Sequence, residues 1–248
     1  GEFELQKGPV FTNMVVADEI NRAPPKTQSA LLEAMQEGQV SIEGSTLTLP
    51  TPFTVVATMN PLEMEGTFKL PEAQRDRFQM KLVTEIPDSK EERAILDRFD
   101  ENPTLDADAI SKVITREELL DARTVVPDTH IEDSVKEYIL AIVDATRDHR
   151  NVTHGASPRA AIALQNTSKA VACLNGREYV IPDDVKEMAL PVLRHRLIMN
   201  SDAELSQISS EAVIEEILQS ITPPGSDTDH SAGVEPAVGD GGTKREFE

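Results

Sequence analysis

The sequence contains no tryptophan, and phenylalanine and tyrosine together supply only 4% of its residues. Hydrophobic residues still make up 39% of the 248-residue chain, which is long enough for one large domain or two small ones. We therefore expect a folded protein whose core consists mainly of Leu, Ile, Val, Ala and Met.

Cysteine is equally scarce. Cys173 is the single cysteine, so the chain cannot form an internal disulfide, and this composition predicts a reducing, cytoplasmic environment. The N-terminal segment GEFELQKGPVF lacks the charged start and the apolar stretch of a secretory signal. The apolar runs are too short to span a bilayer, which predicts that the chain does not insert into a membrane.

Basic residues are outnumbered by acidic ones. The chain has 24 Lys and Arg against 44 Asp and Glu, which gives a formal net charge of −20. Such a surface repels phosphate backbones, and no run of Lys or Arg offsets the repulsion. We therefore expect no general nucleic-acid binding.

The first third of the chain carries the pattern of a parallel sheet. Unbroken apolar runs at residues 14–17 and 53–57 end in polar residues, a pattern typical of strands that are buried on both faces. A further short strand is expected at residues 80–83. With the helix described next, these strands predict an α/β fold for residues 1–88.

A helix and a hairpin are predicted between the first two strands. Pro24 and Pro25 suit the first turn of a helix, where a missing N–H costs nothing, and Gly38 suits its C-terminal cap. Apolar residues then alternate around Glu43-Gly44, which predicts a hairpin over residues 39–49.

Helical periodicity dominates after about residue 88 and predicts a helical bundle. Apolar residues recur at helical spacing over residues 91–99, 116–123, 131–150, 157–174, 182–194 and 209–221. From residue 222 the chain is rich in Pro, Gly, Ser and Asp and is expected to be disordered. The predicted division is an α/β part over 1–88, an all-α domain over 89–200, and an acidic, mostly disordered tail over 201–248.

The motif MVVADE places Asp18 and Glu19 at the end of the first predicted strand. Open α/β sheets bind ligands at the carboxyl ends of their strands. In nucleotide hydrolases one carboxylate at this edge holds the Mg²⁺ shell and a second polarises the attacking water. A solvated strand end is the simpler interpretation of the same motif, and the two stay open at this point.

The motif ATMNP places Asn60 at the end of the second predicted strand, at the same sheet edge. An amide there can orient water or contact a γ-phosphate without adding charge. Asn-Pro also initiates turns, so Asn60 taken alone is explained as a turn residue.

Arginines stand in two further motifs, LPEAQRDRF and GASPRAA. Arg75 and Arg77 of the first can project into a neighbouring subunit to stabilise phosphoryl-transfer charge, or can be surface partners of nearby acidic residues. In the second, Ser157 suits a helix N-cap and Pro158 the first helical position. Arg159 then opposes the helix dipole, which a bound anion would explain.

A metalloprotein is a third interpretation, beside a nucleotide hydrolase and a protein without catalytic function, and its candidate ligands are His154 and Cys173. No second ligand lies at metal-binding spacing from either residue, so this interpretation is the weakest.

Taken in order, these motifs are similar to the MoxR branch of AAA+ ATPases. The similarity covers residues 1 to about 200, and it rests on GPVFTNMVVADEINRAPPKTQSALLEAMQEGQVSIEG, TPFTVVATMNPLEMEGTFKLPEAQRDRF and HGASPRAAIAL. The resemblance implies part of a P-loop NTPase core, with a parallel sheet and helices, followed by an all-α lid domain.

The resemblance also implies a role for each motif residue. Asp18 and Glu19 would form the Walker B pair, with Asp18 supporting Mg²⁺ through water and Glu19 as the base that activates the attacking water. Asn60 would be sensor 1 and contact the nucleotide. Arg77 would be the arginine finger that acts on ATP in the next subunit, with Arg75 as the less favoured alternative. Arg159 would be sensor 2, reaching the γ-phosphate from the lid.

Members of this family are ring-shaped, usually hexameric ATPases that use ATP and Mg²⁺. The resemblance therefore implies a homo-oligomeric ring, a partner with a von Willebrand factor A domain, and a protein client that is remodelled or matured in a chaperone-like way.

One family motif is absent from the sequence. The phosphate-binding loop GxxxxGK[ST] belongs upstream of the Walker B strand, and no match to it occurs in the 248 residues. The chain also begins with Gly rather than Met. We therefore expect a fragment or processed form that alone does not hydrolyse ATP. The alternative is a non-catalytic assembly subunit that supplies an arginine finger to a neighbour.

Overall fold

The structure is a computed structural model that describes residues 7–42, 44–60, 66–68, 70–103 and 110–225. In this part of the chain a small α/β region is followed by a larger helical domain. The expected disordered end of the tail, from residue 226 onward, lies outside the described residues.

A pair of parallel strands forms the α/β region. Strand β1 (Met14–Ala17) pairs in parallel with β4 (Thr54–Ala57), with Met14 opposite Thr54 and Ala17 opposite Ala57. This pairing confirms both predicted strands and their parallel arrangement. The expected burial on both faces was wrong for the described residues, because side chains on alternate positions are exposed, 61% for Met14 and 66% for Val16. Val56 on the neighbouring strand is exposed as well, at 47%.

The connection between these strands follows the sequence prediction closely. After a 3₁₀ turn at Ile20–Arg22, helix α1 (Pro25–Glu37) ends where Gly38 adopts a left-handed conformation, with φ of 63°. Strands β2 (Gln39–Ile42) and β3 (Ser45–Thr48) then form the predicted antiparallel hairpin. Both ends of α1 are set by local residue choice, since proline lacks the N–H and glycine tolerates positive φ.

The strand expected at residues 80–83 is absent. Residues 80–88 have no regular structure and lie between the short helix α2 (Glu72–Arg75) and helix α3 (Ser89–Glu101). A strand needs a neighbour for its backbone N–H and C=O groups, and no described strand pairs with this segment. Its Lys81 N–H instead donates to the carbonyl of Pro191 at 2.8 Å.

The helical domain confirms the remaining helix predictions. Its elements are α4 (Arg116–Val125), α5 (Asp133–Asp148), β5 (Val152–His154), α6 (Pro158–Leu174), α7 (Pro182–Leu193), β6 (Ile198–Met199), α8 (Ser201–Leu205) and α9 (Ser210–Ser220). The buried core lies where α5, α6, α7 and α9 meet, and fully buried Ile142, Leu164, Leu193 and Ile214 contribute to it. No helix in the described ranges has the length and apolar character needed to cross a bilayer.

Part of the segment assigned to the tail is helical in the described residues. Helices α8 and α9 lie within the predicted tail, and α9 buries Val213, Ile214 and Ile217 in the core of the helical domain. Ser209 caps α9 by accepting a hydrogen bond from the Ala212 N–H at 3.2 Å. Three apolar residues at helical spacing are enough to dock this segment, despite its position in an acidic stretch. The boundary at residue 88 stays a prediction.

Candidate active site

The carboxyl ends of β1 and β4 meet at one edge of the sheet, where Thr58 joins the two motifs. The Thr58 hydroxyl donates to Asp18 Oδ1 and accepts a hydrogen bond from the Glu19 N–H at 2.9 Å. On the backbone, the Thr58 N–H donates to Ala17 at 3.0 Å, and the Thr58 carbonyl accepts from Ile20 at 3.1 Å. Thr58, which follows β4, therefore fixes both the backbone of the ADE motif and the carboxylate of Asp18.

Glu19 has a backbone conformation that is uncommon for a residue with a side chain. Its φ of 47° and ψ of 52° lie in the left-handed region, which costs about 1–2 kcal/mol for an L-residue. The Thr58 hydrogen bond and the following 3₁₀ turn hold it there. Non-glycine residues in this region cluster at functional sites, where surrounding structure over-determines the backbone.

The Glu19 carboxylate is paired with a neighbouring cation. Its Oε2 lies 3.0 Å from Nε of Arg22, and both side chains are partly exposed, 39% for Glu19 and 49% for Arg22. Ion pairs this accessible contribute about 0–1 kcal/mol. The pair therefore orients the Glu19 carboxylate and can open at little cost.

A buried glutamine supports the turn that carries Glu19. Gln28 on α1 is 1% exposed, and its Nε2 donates to the carbonyls of Ile20 at 3.1 Å and Phe68 at 3.3 Å. The Phe68 N–H donates back to the Asn21 carbonyl. Helix α1 thus anchors the backbone immediately after the two carboxylates.

Asn60 lies two residues beyond Thr58 on an exposed segment at the same strand end. Thr58, two residues before it, is the residue that binds the Asp18 carboxylate and the Glu19 N–H. The structure therefore places Asp18 and Glu19 directly after β1, and Asn60 shortly after the parallel strand β4, at the same edge of the sheet.

The two arginines of the RDRF motif differ in their surroundings. Arg75 ends α2 and is partly buried, and its Nε is enclosed without a hydrogen-bond partner among the described residues. Arg77 is exposed, and its guanidinium makes no hydrogen bond or ion pair within the described ranges. An arginine that acts on a neighbouring subunit must be accessible, so this difference favours Arg77.

Between these arginines, Asp76 joins α2 to the helical domain. Its Oδ1 accepts from Nε of Arg196 at 2.9 Å, and its Oδ2 accepts from the hydroxyl of Ser157 at 2.9 Å. Arg196 is 3% exposed in its side chain and also donates to the backbone carbonyls of Asp76, Phe78, Gln79 and Val192. Every nitrogen of this buried guanidinium therefore has an acceptor.

The predicted cap of helix α6 is confirmed. The Ser157 hydroxyl accepts from the Arg159 N–H at 3.2 Å, and Pro158 occupies the first helical position. Arg159 follows in the first turn with an exposed side chain. A Cβ at Gly155 would lie 2.6 Å from backbone atoms of α5, so only glycine allows this loop to approach that helix.

Two groups of predicted residues thus form two separate clusters. Asp18, Glu19 and Asn60 lie at the sheet edge, whereas Arg77 and Arg159 lie on segments joined through Asp76 and Ser157. In the described part of the chain, no hydrogen bond or ion pair links an arginine of the second cluster to a carboxylate of the first.

The metal ligands of the third interpretation lie on different elements. His154 ends β5 and is exposed, and Cys173 lies near the end of α6. Among the residues that the structure describes, no group of three or more His, Cys, Asp or Glu is arranged to hold a metal ion. Asp18 and Glu19 are the predicted carboxylates that suit a cation whose remaining ligands come from a bound phosphate compound.

His195 completes the contact between the helical domain and the segment after Arg77. Its Nε2 lies 3.0 Å from the Phe78 carbonyl, which can only accept, so Nε2 carries the proton and Nδ1 does not. Nδ1 is buried without a partner among the described residues. Burial, together with the nearby positive charge of Arg196 and Lys81, lowers the pKa of His195 to about 4, although Asp76 opposes the shift.

We expect His195 to make stability depend on pH. The pKa of His195 is about 4 in the folded state and about 6.5 in the unfolded state. Because the unfolded state therefore binds the proton first as the pH falls, the free energy of unfolding decreases progressively from about pH 6.5 to about pH 4 and depends little on His195 above that range. The free energy of unfolding of the wild type, relative to His195→Gln, should fall by about 2 kcal/mol between pH 7 and pH 5. Urea titrations at several pH values measure this difference. A difference that stays constant over this range would show that His195 is not buried in its neutral form.

Comparisons with known proteins identify the family. Residues 1–80 match the model of the ATPase family associated with various cellular activities (AAA), and residues 144–217 match the AAA lid domain. The Bacillus subtilis protein YeaC is 44% identical over 223 residues, which are 90% of this chain and 69% of YeaC. Chaperone MoxR1 of Mycobacterium tuberculosis is 42% identical over 232 residues. The chain belongs to the MoxR-type AAA+ ATPases.

A solved structure extends the MoxR assignment to the fold. The crystal structure of a candidate ATPase from Cytophaga hutchinsonii superposes with a TM-score of 0.82 at 43% identity, over 90% of this chain and 70% of that one. The MoxR-type chain spans 60% of the length of MoxR1. The AAA+ core with a parallel sheet and the helical lid predicted from the sequence are therefore confirmed.

Four residues around the MoxR-type site were missed by the sequence interpretation. They are Thr58, Gln28, Asp76 and Arg196, and each acts through contacts to residues at least eight positions away. Thr58 lies in the motif ATMNP and Asp76 in LPEAQRDRF, and this position inside a motif was the one signal in the sequence that could have identified them. Nothing local in the sequence marks Gln28 or Arg196 as a partner of these segments.

Proposed function

We propose that this chain takes part in Mg²⁺-dependent ATP hydrolysis at the subunit interfaces of a MoxR-type ring. The observation that carries the proposal is the joint at the sheet edge, where Thr58 binds both Asp18 and the backbone of Glu19. Two carboxylates on a fixed turn at the carboxyl edge of parallel strands suit a ligand that contains phosphate and a cation.

The two carboxylates have different surroundings and different proposed roles. Asp18 accepts the Thr58 hydroxyl, which orients its second oxygen for a water of the Mg²⁺ shell. Carboxylate oxygens are donors that Mg²⁺ prefers, so the residues present fit this ion. Glu19 is the proposed base, since its weak pair with Arg22 can be exchanged for the attacking water. Asn60 would orient that water or the γ-phosphate.

The arginines serve the two sides of a subunit interface in this proposal. Arg77 is exposed and unpaired among the described residues, as a finger that enters a neighbouring site must be. Arg159 lies in the first turn of α6, from which it would reach the chain's own nucleotide. When bound, ATP with Mg²⁺ supplies the phosphoryl group whose charge these side chains would neutralise.

The proposed assembly follows from this division of roles. An arginine that acts in trans requires a ring, which we propose to be a homo-oligomer, most simply a hexamer. The chaperone name of MoxR1 supports a protein client whose complexes are remodelled or matured, and we propose a partner with a von Willebrand factor A domain. With one cysteine and no possible internal disulfide, the cytoplasm is the proposed compartment.

A binding and turnover experiment tests the proposal. We define the loop-bearing form as this chain preceded by a family segment that contains GxxxxGK[ST]. We expect it to bind ATP with Mg²⁺ and to hydrolyse ATP, whereas the 248-residue chain alone should bind no ATP in the same titration. Binding by the chain alone would mean that other residues hold the phosphates. A loop-bearing ring that binds but never hydrolyses ATP would contradict the proposal.

The Thr58 hydroxyl supplies a focused prediction. Thr58→Val keeps the shape of the side chain but removes both hydrogen bonds, so Asp18 and Glu19 lose their common anchor. Residues that orient the direct ligands of a metal typically contribute 10–100-fold to activity, and we expect kcat of the loop-bearing form to fall by about that factor. Thr58→Ser, which keeps the hydroxyl, is the matched control and should retain most activity. Equal rates for the two variants would exclude this role.

A second candidate function is a non-catalytic subunit that supplies Arg77 in trans. The exposed side chain of Arg77, which makes no bond among the described residues, favours it. Adding the chain to an intact relative such as MoxR1 should then change the ATPase rate of that relative, and Arg77→Ala should abolish the change. A rate that never responds to the added chain would remove this candidate.

A further inference from the structure

Asp76 stands between the two arginines of the RDRF motif, yet its side chain turns to the lid. Each carboxylate oxygen has its own partner, Arg196 for Oδ1 and Ser157 for Oδ2, both at 2.9 Å. The carboxylate is 19% exposed. One carboxylate therefore bridges two residues of the lid, so a displacement of either residue acts on the Asp76 side chain.

Both lid partners of Asp76 hold more than the carboxylate. The Ser157 hydroxyl donates a hydrogen bond to Asp76 and accepts one from the Arg159 N–H, so the same atom caps the helix that carries Arg159. Arg196 binds the backbone carbonyls of Asp76 at 3.2 Å, Phe78 at 2.8 Å and Gln79 at 3.0 Å. The backbone on both sides of Arg77 is therefore held by one buried lid residue.

The buried guanidinium makes this contact specific. Burial lowers the pKa of Arg196, and the hydrogen bond to Asp76 opposes that shift. A buried cation needs an anionic partner and filled hydrogen-bond sites, and Asp76 is its anion here. A neutral residue at position 76 would leave this charge uncompensated, which no rearrangement on the finger segment alone can repair.

We propose that Asp76 is a positioning residue that mechanically couples the Arg77 segment to the Arg159 end of helix α6. A movement of α6 would then displace Arg77, and a force on Arg77 would reach the cap of α6. The role of this coupling in ATP hydrolysis rests on the proposed function, in which Arg159 would face the chain's own ATP and Arg77 the ATP of the neighbouring subunit. Asp76 would thereby transmit the nucleotide state of one site to the next site in the ring.

Hydrogen–deuterium exchange on the 248-residue chain tests the coupling without nucleotide. Ser157→Ala removes the hydroxyl from the α6 cap and leaves the Asp76–Arg196 pair intact. We expect exchange to accelerate about tenfold in the first turn of α6 and also at residues 76–79, to which Ser157 is hydrogen-bonded through the Asp76 side chain. Ser157→Thr keeps the hydroxyl and should restore the exchange of both segments to the wild-type rate.

Asp76→Asn provides the reciprocal experiment and Asp184→Asn its matched control. Asp76→Asn should accelerate exchange in both segments, whereas Asp184→Asn breaks another buried pair of the lid, with Arg177 at 2.8 Å, and should leave both unchanged. If Asp76→Asn prevents folding, the two Ser157 variants still decide the outcome. Unchanged exchange at residues 76–79 in Ser157→Ala would overturn the coupling. That result would leave the proposed ATPase activity untouched, since no nucleotide is present.

Discussion

Glu19→Gln is expected to abolish ATP turnover in the loop-bearing form while ATP binding persists. Glutamine preserves the size of the side chain and its place on the left-handed turn fixed by Thr58. It cannot accept the proton of the attacking water, and a general base contributes about 10²–10⁴-fold in rate. Steady-state ATPase assays give the loss of turnover, and a titration with Mg²⁺ and ATP gives the affinity of the variant.

An exposed glutamate elsewhere on the chain is the control for this experiment. Glu37 is the last residue of α1, and Glu37→Gln makes the same charge change away from the sheet edge. It should leave turnover and affinity near wild type. Unchanged turnover in Glu19→Gln would assign the base to another residue, and a loss of ATP binding would point to a role in holding the cation.

Arg77→Ala is expected to reduce turnover by about 10³–10⁵-fold, the range that arginine fingers contribute. The side chain is exposed and makes no bond within the described ranges, so its removal should cost little stability. If the proposed finger acts on the neighbouring site, mixing two inactive variants should restore activity. In rings of Arg77→Ala with Glu19→Gln subunits, an intact Glu19 meets an intact Arg77 at some interfaces, and ATPase assays of defined mixtures measure the recovery.

Arg75 supplies the control for the finger assignment. Its Nε is enclosed, so Arg75→Ala is expected to lower the unfolding temperature more than Arg77→Ala does. Full activity in Arg77→Ala would transfer the finger role to Arg75. No recovery in the mixed rings would show that Arg77 acts within its own subunit.

The sequence predicted most elements because their signals are local. The two apolar runs, the proline start and Gly38 end of α1, and the Ser157-Pro158 start of α6 all depend on residues within a few positions. Residues 80–83 carry the same apolar signal as β1 and β4 but form no strand, since a strand also requires a partner. The apolar spacing over residues 209–221 predicted helix α9, but the part of the lid against which that helix packs was decided by the tertiary structure.

The sequence by itself determined the family, the order of its motifs and the placement of Asp18, Glu19, Asn60, Arg77 and Arg159 at the ends of elements. Only the tertiary structure decided which residues hold them. Thr58 meets Asp18 across 40 positions, and Arg196 meets Asp76 across 120. Such contacts depend on how the strands align and how the lid packs. Neither the alignment nor the packing produces a periodic pattern in the sequence. The motifs named the side chains with chemical roles, whereas packing alone selected the residues that position them.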